Sequence, residues 1–315
     1  MRHRKRPEWS KLDHNSGDDI AGTVHSVGKN VIDFKPGDRV AAFHEMMAAG
    51  GSYAEYGVAK ATATFHVPAQ TTFEEASTLP LAAMTAAVGL FGRLALPEPW
   101  APDAPSATAA RTPLLVYGAA TAVGAFAIQL ARAAGVHPII GVAGRGIPFA
   151  ESLVDASKGD AIVDYRKGDD AVVAGIKEAL RKAGVAELKL AYDAVSENGS
   201  HENIAAVLAE SGASVTHVLP WDKFARTKGF QYPAYMKPSL TSVGSVHNVA
   251  EDFGYVWFKF FTRLLETGRL KGHPYEVQPG GLAGLSAALK NLKAGKASAV
   301  KYVFRIADTE GAGKD

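Results

Sequence analysis

The pattern of apolar and polar residues along the chain changes near residue 72. Before that point, short apolar runs are separated by turns that contain glycine and proline, of which residues 34–38 (FKPGD) are the clearest. Such runs are typical of β-strands. Strands are predicted at 20–27, 39–43 and 53–58. The first part of the chain is therefore predicted to be an all-β unit with little helix.

Apolar residues at helical spacing predict a helix at 73–91. The proline-rich stretch at 96–113 predicts a surface loop or linker. From residue 114 onward, strands and helices alternate. Strands are predicted at 114–117, 138–142, 161–163, 189–194 and 214–219. Between them, one helix is predicted to end at 134, one to lie near 150, and two to span 171–182 and 204–210. This alternation predicts βαβ units, and hence an α/β fold whose doubly wound parallel sheet is covered by helices on both faces.

The last part of the chain contains more helix and one more strand. A helix predicted at 254–265 is rich in aromatic residues, and such a stripe belongs more often to a core or a subunit interface than to a cofactor site. A further helix is predicted at 282–293 and a final strand at 300–306.

Composition narrows the range of functions. A chain of 315 residues is long enough for two domains, and its 47% hydrophobic and 21% charged residues are ordinary for a soluble globular protein. A net charge of +2 predicts neither a nucleic-acid partner nor a membrane surface. The basic run at 2–6 is interpreted as a solvated terminus. Without a leader or a long apolar stretch, the protein is expected to be cytoplasmic.

The strongest chemical signal is the junction between the strand at 114–117 and the helix that follows it. The connecting residues are small: Gly118, Ala119, Ala120, Thr121, Ala122, Val123 and Gly124. Small side chains let a diphosphate approach the unpaired amides at a helix N-terminus. The same junction could also join a strand to a helix without binding a ligand. Because a series of βα units follows it, we interpret it as a dinucleotide-binding loop.

The end of the next strand indicates which dinucleotide is bound. NAD-dependent enzymes usually carry an acidic residue there, which holds the ribose 2′-hydroxyl. Residues 141–146 (GVAGRG) contain no acid and a single cation, Arg145. An arginine can pair with the 2′-phosphate of NADPH, although it could also be a solvated loop residue. The sequence therefore predicts NADPH as the cofactor.

These features resemble the medium-chain dehydrogenase/reductase superfamily, on its zinc-free branch of quinone oxidoreductases and enoyl reductases. The resemblance covers nearly the whole chain and is carried by residues 17–40 (GDDIAGTVHSVGKNVIDFKPGDRV), 51–56 (GSYAEY), 79–91 (LPLAAMTAAVGLF) and 117–131 (YGAATAVGAFAIQLA). Within that branch, residues 273–306 and the proline-rich insert are similar to fungal members, which include trans-acting enoyl reductases of polyketide pathways.

The resemblance implies a division into domains. Residues 1–84 would form the first part of a GroES-like β-barrel catalytic domain, residues 85–248 a Rossmann NADP-binding domain, and residues 249–315 a segment that returns to the catalytic domain. Compared with the family, the chain is expected to be truncated at its N-terminus and to lack the opening strands of the barrel.

The resemblance also implies roles for individual residues. Thr85 would lie beside the nicotinamide, and Tyr53 would face the substrate cleft; both are the candidate catalytic residues. The other candidate cofactor contacts are Tyr165 near the adenosine phosphate, Leu219, and the segment Ser242, Val243 and Gly244 near the nicotinamide.

No metal site is predicted. The chain contains no cysteine, and residues 17–19 (GDD) stand where zinc-dependent relatives carry Gly-His-Glu. The remaining candidates show no ligand spacing: His14, His25, His44 and His66. Without a Lewis acid, an electron-poor double bond is the expected hydride acceptor.

The predicted function is accordingly NADPH-dependent reduction of a small conjugated carbonyl substrate, a quinone or an α,β-unsaturated carbonyl compound. Two alternatives remain open. One is a trans-acting enoyl reductase whose substrate is bound to the carrier of a polyketide synthase, and the other is a relative that binds NADPH without turnover. The protein is expected to be a monomer or a homodimer.

Overall fold

The computed structural model describes residue 15 and residues 17–100 and 112–313. The chain folds into two compact units, one comprising Met1–Met84 and Val243–Asp315 and the other Thr85–Ser242. It therefore changes units at 84/85 and at 242/243, where the sequence predicts 84/85 and 248/249. The predicted solvated terminus at 2–6 and most of the predicted loop at 96–113 lie outside the described residues. None of the described helices combines the length and the apolar character that a membrane span requires.

The described strands and helices are numbered separately in chain order. The strands are β1 (Asp19–Thr23), β2 (Arg39–Phe43), β3 (Thr64–His66), β4 (Leu114–Tyr117), β5 (Ile139–Ala143), β6 (Ala161–Asp164), β7 (Leu190–Asp193), β8 (Ala213–His217), β9 (Met236–Leu240), β10 (Tyr275–Val277) and β11 (Lys301–Val303). The α-helices are α1 (Phe73–Ala76), α2 (Pro80–Ala87), α3 (Ala122–Ala133), α4 (Ile147–Ser152), α5 (Asp169–Lys182), α6 (Ser200–Ala205), α7 (Trp221–Phe224), α8 (Glu251–Glu266) and α9 (Leu285–Lys293).

The second unit is built on a six-stranded sheet in the order β6-β5-β4-β7-β8-β9, with every neighbouring pair parallel. The strand order reverses between β4 and β7, which is the arrangement of a doubly wound Rossmann sheet. The predicted α/β fold is therefore confirmed. Strand β9 was missed because Lys237 and Pro238 interrupt its apolar pattern, and proline is tolerated in a strand only where it need not donate to a neighbour.

The core of this unit is formed around its most apolar strands. Every residue of β4 and β5 is buried, as expected for central parallel strands that are covered on both faces. Helix α3 buries Phe126, Ile128 and Leu130 completely. Burial of each such side chain contributes about 1.5–3 kcal/mol to folding. The strand–loop–helix segment from β4 to α3 is thus held firmly at both of its ends.

In the first unit, β1, β2 and β3 form an antiparallel sheet, and β10 pairs with β11 in parallel. The prediction of a strand at 53–58 is wrong. Gly50 has a φ of +87° and its carbonyl accepts a hydrogen bond from the amide of Val58 at 2.8 Å, which closes the segment into a loop. The loop brings Tyr53 beside residue 15, where its amide donates to Asn15 Oδ1 at 3.1 Å.

The aromatic helix α8 completes the core of the first unit. Trp257, Phe258 and Phe261 are fully buried, and the rings of Phe258 and Phe261 lie 6.1 and 6.0 Å from the ring of Phe65 on β3. The helix is also tied to β3 by the hydroxyl of Thr262, which donates to the carbonyl of His66 at 2.7 Å. The aromatic stripe is therefore core.

The single helix predicted at 73–91 is divided in the structure. The hydroxyl of Thr72 accepts a hydrogen bond from the amide of Glu75 and caps α1, which ends at Ala76. Pro80 then begins α2, a position that suits it because its missing amide would have no helical partner. A turn of π-helix at Val88–Arg93 follows α2.

Candidate functional site

The carboxyl ends of the parallel strands carry the loops in which ligands bind in open α/β sheets, and the point where the strand order reverses is the preferred place. Here that point lies between β4 and β7. The loop after β7 borders the loop after β4, because the amide of Ala194 donates to the carbonyl of Tyr117 at 2.9 Å. The residues predicted to bind the diphosphate therefore lie where the fold is best suited to a nucleotide.

The loop from Gly118 to Thr121 presents the N-terminus of α3. Gly118 has a φ of +91°, in the left-handed region that favours glycine. The hydroxyl of Thr121 caps the helix by accepting a hydrogen bond from the amide of Gly124 at 3.0 Å. Among the described residues, the amides of Ala120, Ala122 and Val123 have no acceptor. All three residues are half-buried, so the loop fits the diphosphate of a dinucleotide, which needs accessible amides at a helix N-terminus.

Gly124 packs against the backbone of the same loop. A Cβ atom added to it would lie 2.1 Å from the carbonyl oxygen of Gly118 and 2.8 Å from its carbonyl carbon. The sequence pattern places Gly124 among the small residues of the turn and does not show what it packs against. In the structure, Gly124 contacts the backbone of the loop that follows β4, and this contact leaves no room for a methyl group.

The residues predicted to select the cofactor lie together after β5 and β6. Arg145 is exposed in the turn that follows β5. Tyr165 follows β6 with 49% of its surface exposed, and its ring lies so close to Gly144 that a Cβ atom there would be 2.4 Å from Cζ. The structure therefore places Tyr165 against Gly144, the residue that precedes Arg145.

Two further charged residues occupy the turn after β6, and the sequence interpretation missed both. The guanidinium of Arg166 binds Asp164 through two hydrogen bonds, of 2.9 Å from Nε to Oδ1 and 2.7 Å from the terminal nitrogen to Oδ2. The hydrogen bonds from Arg166 lower the pKa of Asp164 to about 2. Arg166 is thus committed to Asp164. Lys167 is exposed and has no ion-pair partner in the described part of the chain.

The other candidate cofactor contacts occupy loops and a helix. Leu219 is half-buried in the bend after β8, at the same edge of the sheet. Thr85 is buried in α2 and its carbonyl accepts a hydrogen bond from the hydroxyl of Tyr192 at 2.8 Å. Ser242 is exposed after β9. Val243 and Gly244 begin a 3₁₀-helix in the other unit, Val243–His247.

In the first unit, Tyr53 lies beside two carboxyl groups. Burial, and then the negative charges of Asp19 and Asp18, raise the pKa of Tyr53. Its hydroxyl has no hydrogen-bond partner among the described residues. The phenol therefore keeps its proton near neutral pH and can donate it in a hydrogen bond.

The two carboxyl groups have different environments. Asp19 accepts a hydrogen bond from the amide of Leu81 at 2.8 Å and pairs with the ammonium of Lys301. Among the described residues, no lysine or arginine pairs with Asp18, and burial together with the charge of Asp19 raises the pKa of Asp18 to about 6. A carboxyl group with a raised pKa is a candidate for acid–base chemistry. The sequence identified these residues only as the replacement of a metal-ligand motif.

We expect Asp18→Asn to stabilise the protein above pH 6 and to have no effect at or below pH 3.8. The pKa of Asp18 is about 6 in the folded protein against 3.8 for the free residue, so the folded state loses stability as the pH rises between these values. Asparagine cannot ionise and avoids this loss. Melting temperatures of both proteins from pH 4 to pH 7 measure the effect. A difference that is the same at every pH would contradict it.

The histidines singled out in the sequence are placed as ordinary residues where they are described. The ring nitrogens of His44 face the carbonyl oxygens of Val58 and Ala48 at 2.6 and 3.2 Å. His66 lies 3.3 Å from Asp38, and His25 packs against a tyrosine ring. His14 lies outside the described residues.

Comparison with known proteins places the chain among oxidoreductases. Residues 1–69 match the family model of the alcohol dehydrogenase GroES-like domain. The trans-enoyl reductase fsr4 of Gibberella fujikuroi is 45% identical over 282 residues, which cover 89% of this chain and 80% of that protein. The trans-enoyl reductase resD of Aspergillus sclerotiorum is 32% identical over 314 residues, with coverage of 92% and 85%.

The fold is also found in solved structures. A quinone oxidoreductase of Pseudomonas syringae superposes with a TM-score of 0.69 at 22% identity, over 93% of this chain and 82% of that one. The GroES-like match, the doubly wound sheet and the 45% identity to an enoyl reductase agree with one another. The chain therefore belongs to the medium-chain dehydrogenase/reductase superfamily, on its enoyl reductase branch.

Proposed function

We propose that the protein uses NADPH to reduce the carbon–carbon double bond of an α,β-unsaturated thioester, and that the thioester reaches it on the carrier of a separate polyketide synthase. The observation that carries the proposal is the set of accessible amides at the N-terminus of α3, in a member of a superfamily whose enzymes use nicotinamide cofactors. The trans-enoyl reductases to which the chain is 45% and 32% identical support the substrate class and the separate partner.

The choice of NADPH rests on charge at the carboxyl end of β5. That strand ends at Ala143 and is followed by Gly144 and Arg145, with no carboxylate to bind a ribose 2′-hydroxyl. Tyr165 covers Gly144 and offers an aromatic surface next to the arginine. Arg145 would pair with the 2′-phosphate, and Lys167 would add a second positive charge from the neighbouring turn.

We expect Arg145→Ala to weaken NADPH binding by about tenfold, or ~1.4 kcal/mol, and to leave NADH binding unchanged. Only NADPH carries the phosphate that this arginine would bind. Isothermal titration with both cofactors measures the two affinities. Arg181→Ala is the matched control, because Arg181 lies in the last turn of α5 and pairs with Glu178. Equal affinities of the wild-type protein for NADPH and NADH would overturn the assignment.

The chain's own residues would have separate tasks in the reduction. When bound, the cofactor supplies the hydride, and the protein has to orient the double bond and stabilise the negative charge that develops on the carbonyl oxygen. Tyr53 would donate a hydrogen bond to that oxygen. Thr85 would position the nicotinamide. A carboxyl group such as Asp18 can still hold a proton near neutral pH.

A substrate panel tests the proposed function and separates it from the alternatives. NADPH oxidation is followed with enoyl groups on pantetheine, with the same enoyl groups as simple esters, and with quinones. The proposal expects the pantetheine thioesters to be reduced with the highest kcat/KM. A preference for quinones would indicate a free-standing quinone reductase. NADPH binding without oxidation by any compound of the panel would indicate a binding protein.

A further inference from the structure

Three potential metal ligands lie together inside the second unit, behind the loop that follows β7. Asp193 is the last residue of β7, His217 is the last residue of β8, and His201 lies in the first turn of α6. All three side chains are completely buried. Each of them offers one ligand atom to the group, and these atoms lie within 4.8 Å of one another.

The distances approach those of a coordination sphere. Oδ2 of Asp193 lies 3.6 Å from Nδ1 of His201 and 3.8 Å from Nδ1 of His217. Ligands at about 2.0–2.1 Å from a tetrahedral zinc ion are roughly 3.3–3.5 Å apart. The two distances from Asp193 exceed this spacing by a few tenths of an ångström, and all three donor atoms lie within 4.8 Å of one another. Side-chain rotation would therefore have to draw the two imidazoles together around one ion.

Two of the ligands are already oriented by their neighbours. Nε2 of His201 lies 3.1 Å from the carbonyl oxygen of Ser196, to which it would donate, and this leaves the lone pair on Nδ1. The hydroxyl of Tyr232 lies 3.1 Å from Nδ1 and would have to turn away when an ion binds there. Oδ1 of Asp193 accepts hydrogen bonds from the amides of Val195 and Ser196 at 3.0 and 2.7 Å, and Oδ2 accepts one from the hydroxyl of Ser200 at 2.6 Å. Ligating histidines and carboxylates are commonly held by such contacts.

His217 provides the independent observation. Neither of its ring nitrogens has a hydrogen-bond partner, although both are buried. Its ring stacks on the ring of Tyr232 at 5.2 Å and lies 5.5 Å from the ring of Trp221. Burial of an imidazole without any partner is unfavourable. A cation between His217 and Asp193 would take the lone pair of one ring nitrogen and balance the charge of the buried carboxylate.

We propose that Asp193, His201 and His217 bind a divalent transition-metal ion, with Zn²⁺ as the first candidate. Two imidazoles and a carboxylate form a donor set that zinc accepts. Because the ligands are completely buried, the ion would be structural and not catalytic. It would hold β7, β8 and α6 together. The loop after β7 lies next to these ligands, and its Val195 packs against Gly118 of the candidate diphosphate-binding loop. The prediction of no metal from the sequence would then hold for a catalytic ion only.

The first experiment measures metal content. The protein is produced without a metal-affinity tag in medium supplemented with Zn²⁺ and analysed by inductively coupled plasma mass spectrometry. We expect stoichiometric zinc in the wild type and a loss of at least about tenfold in His217→Phe, which keeps a ring of similar shape but removes both nitrogens. Wild-type protein without bound metal would overturn the proposal, and so would zinc that His217→Phe retains.

His247→Phe is the matched control. Both ring nitrogens of His247 are likewise buried without a partner, but the described residues place no set of donors around it. We expect its zinc content to equal that of the wild type. A loss as large as that of His217→Phe would mean that any buried histidine has the same effect, and the assignment would fail.

A thermal melt supplies a second readout that does not depend on activity. Removal of zinc by a chelator during unfolding and refolding is expected to lower the melting temperature of the wild type by roughly 4 °C or more, and to leave that of His217→Phe unchanged. Should His217→Phe fail to fold, X-ray absorption of the wild-type protein at the zinc edge decides the question. Two imidazole ligands are expected, and a spectrum without imidazole would overturn the proposal.

Discussion

Replacement of Gly124 by alanine is expected to weaken NADPH binding by at least tenfold, or ~1.4 kcal/mol. The added Cβ atom would lie 2.1 Å from the carbonyl oxygen of Gly118. Neither partner in this contact is a flexible side chain, so the loop itself must move. That movement would displace the amides of Ala120, Ala122 and Val123, on which the binding of the diphosphate depends. Valine at position 124 should weaken binding further.

Isothermal titration and a thermal melt of the same samples measure both parts of this prediction. The fold should survive, since the strand and the helix on either side of the loop are buried. Gly92→Ala is the matched control, because the nearest side-chain atom to a Cβ there would be 3.9 Å away. Unchanged affinity in Gly124→Ala would mean that this loop does not hold the diphosphate.

The second large effect is expected from Tyr53→Phe. If the phenol hydroxyl stabilises the oxygen that becomes negatively charged, kcat should fall by about 10²-fold, the usual effect of removing one such donor. The KM for NADPH should stay the same. The raised pKa of Tyr53 supports this role, because the hydroxyl stays protonated near neutral pH.

Tyr56→Phe is the control for this variant. Tyr56 lies three residues further along the same loop and is 66% exposed, so the loss of its hydroxyl should not change kcat. Steady-state kinetics with the best substrate of the panel give both constants for each protein. A Tyr53→Phe protein with wild-type kcat would remove Tyr53 from the mechanism, whereas a rise in KM alone would make it a contact for binding.

Much of the fold could be predicted because its signals are local. The apolar runs of β4 and β5 and the helical spacing of α3 each depend on consecutive residues, and a buried parallel strand needs little more than such a run. The candidate diphosphate-binding loop was recognisable for the same reason, since strand, turn and helix follow one another without interruption. Gly124 is required by contact with the backbone of Gly118, and Gly118 adopts a left-handed φ of +91°.

The strands that the sequence did not reveal depend on partners that are distant in the chain. Residues 275–277 become β10 only because they pair with β11, and residues 236–240 become β9 only because β8 lies beside them. Residues 53–58 have the composition of a strand but meet no partner strand among the described residues, since the hydrogen bond between Val58 and Gly50 turns them into a loop. Pairing of this kind outweighs local preference.

The features of the candidate sites divide in the same way, into those that depend on neighbouring residues and those that depend on residues distant in the chain. The sequence by itself determined the α/β class, the small-residue turn between β4 and α3 and the lack of an acid after β5, because each depends on neighbouring residues. Only the tertiary structure buried Asp18 and so raised its pKa to about 6. Only the tertiary structure brought Asp193, His201 and His217 together. A side chain's protonation and its ligands depend on which groups surround it in space, and strand order and burial decide that.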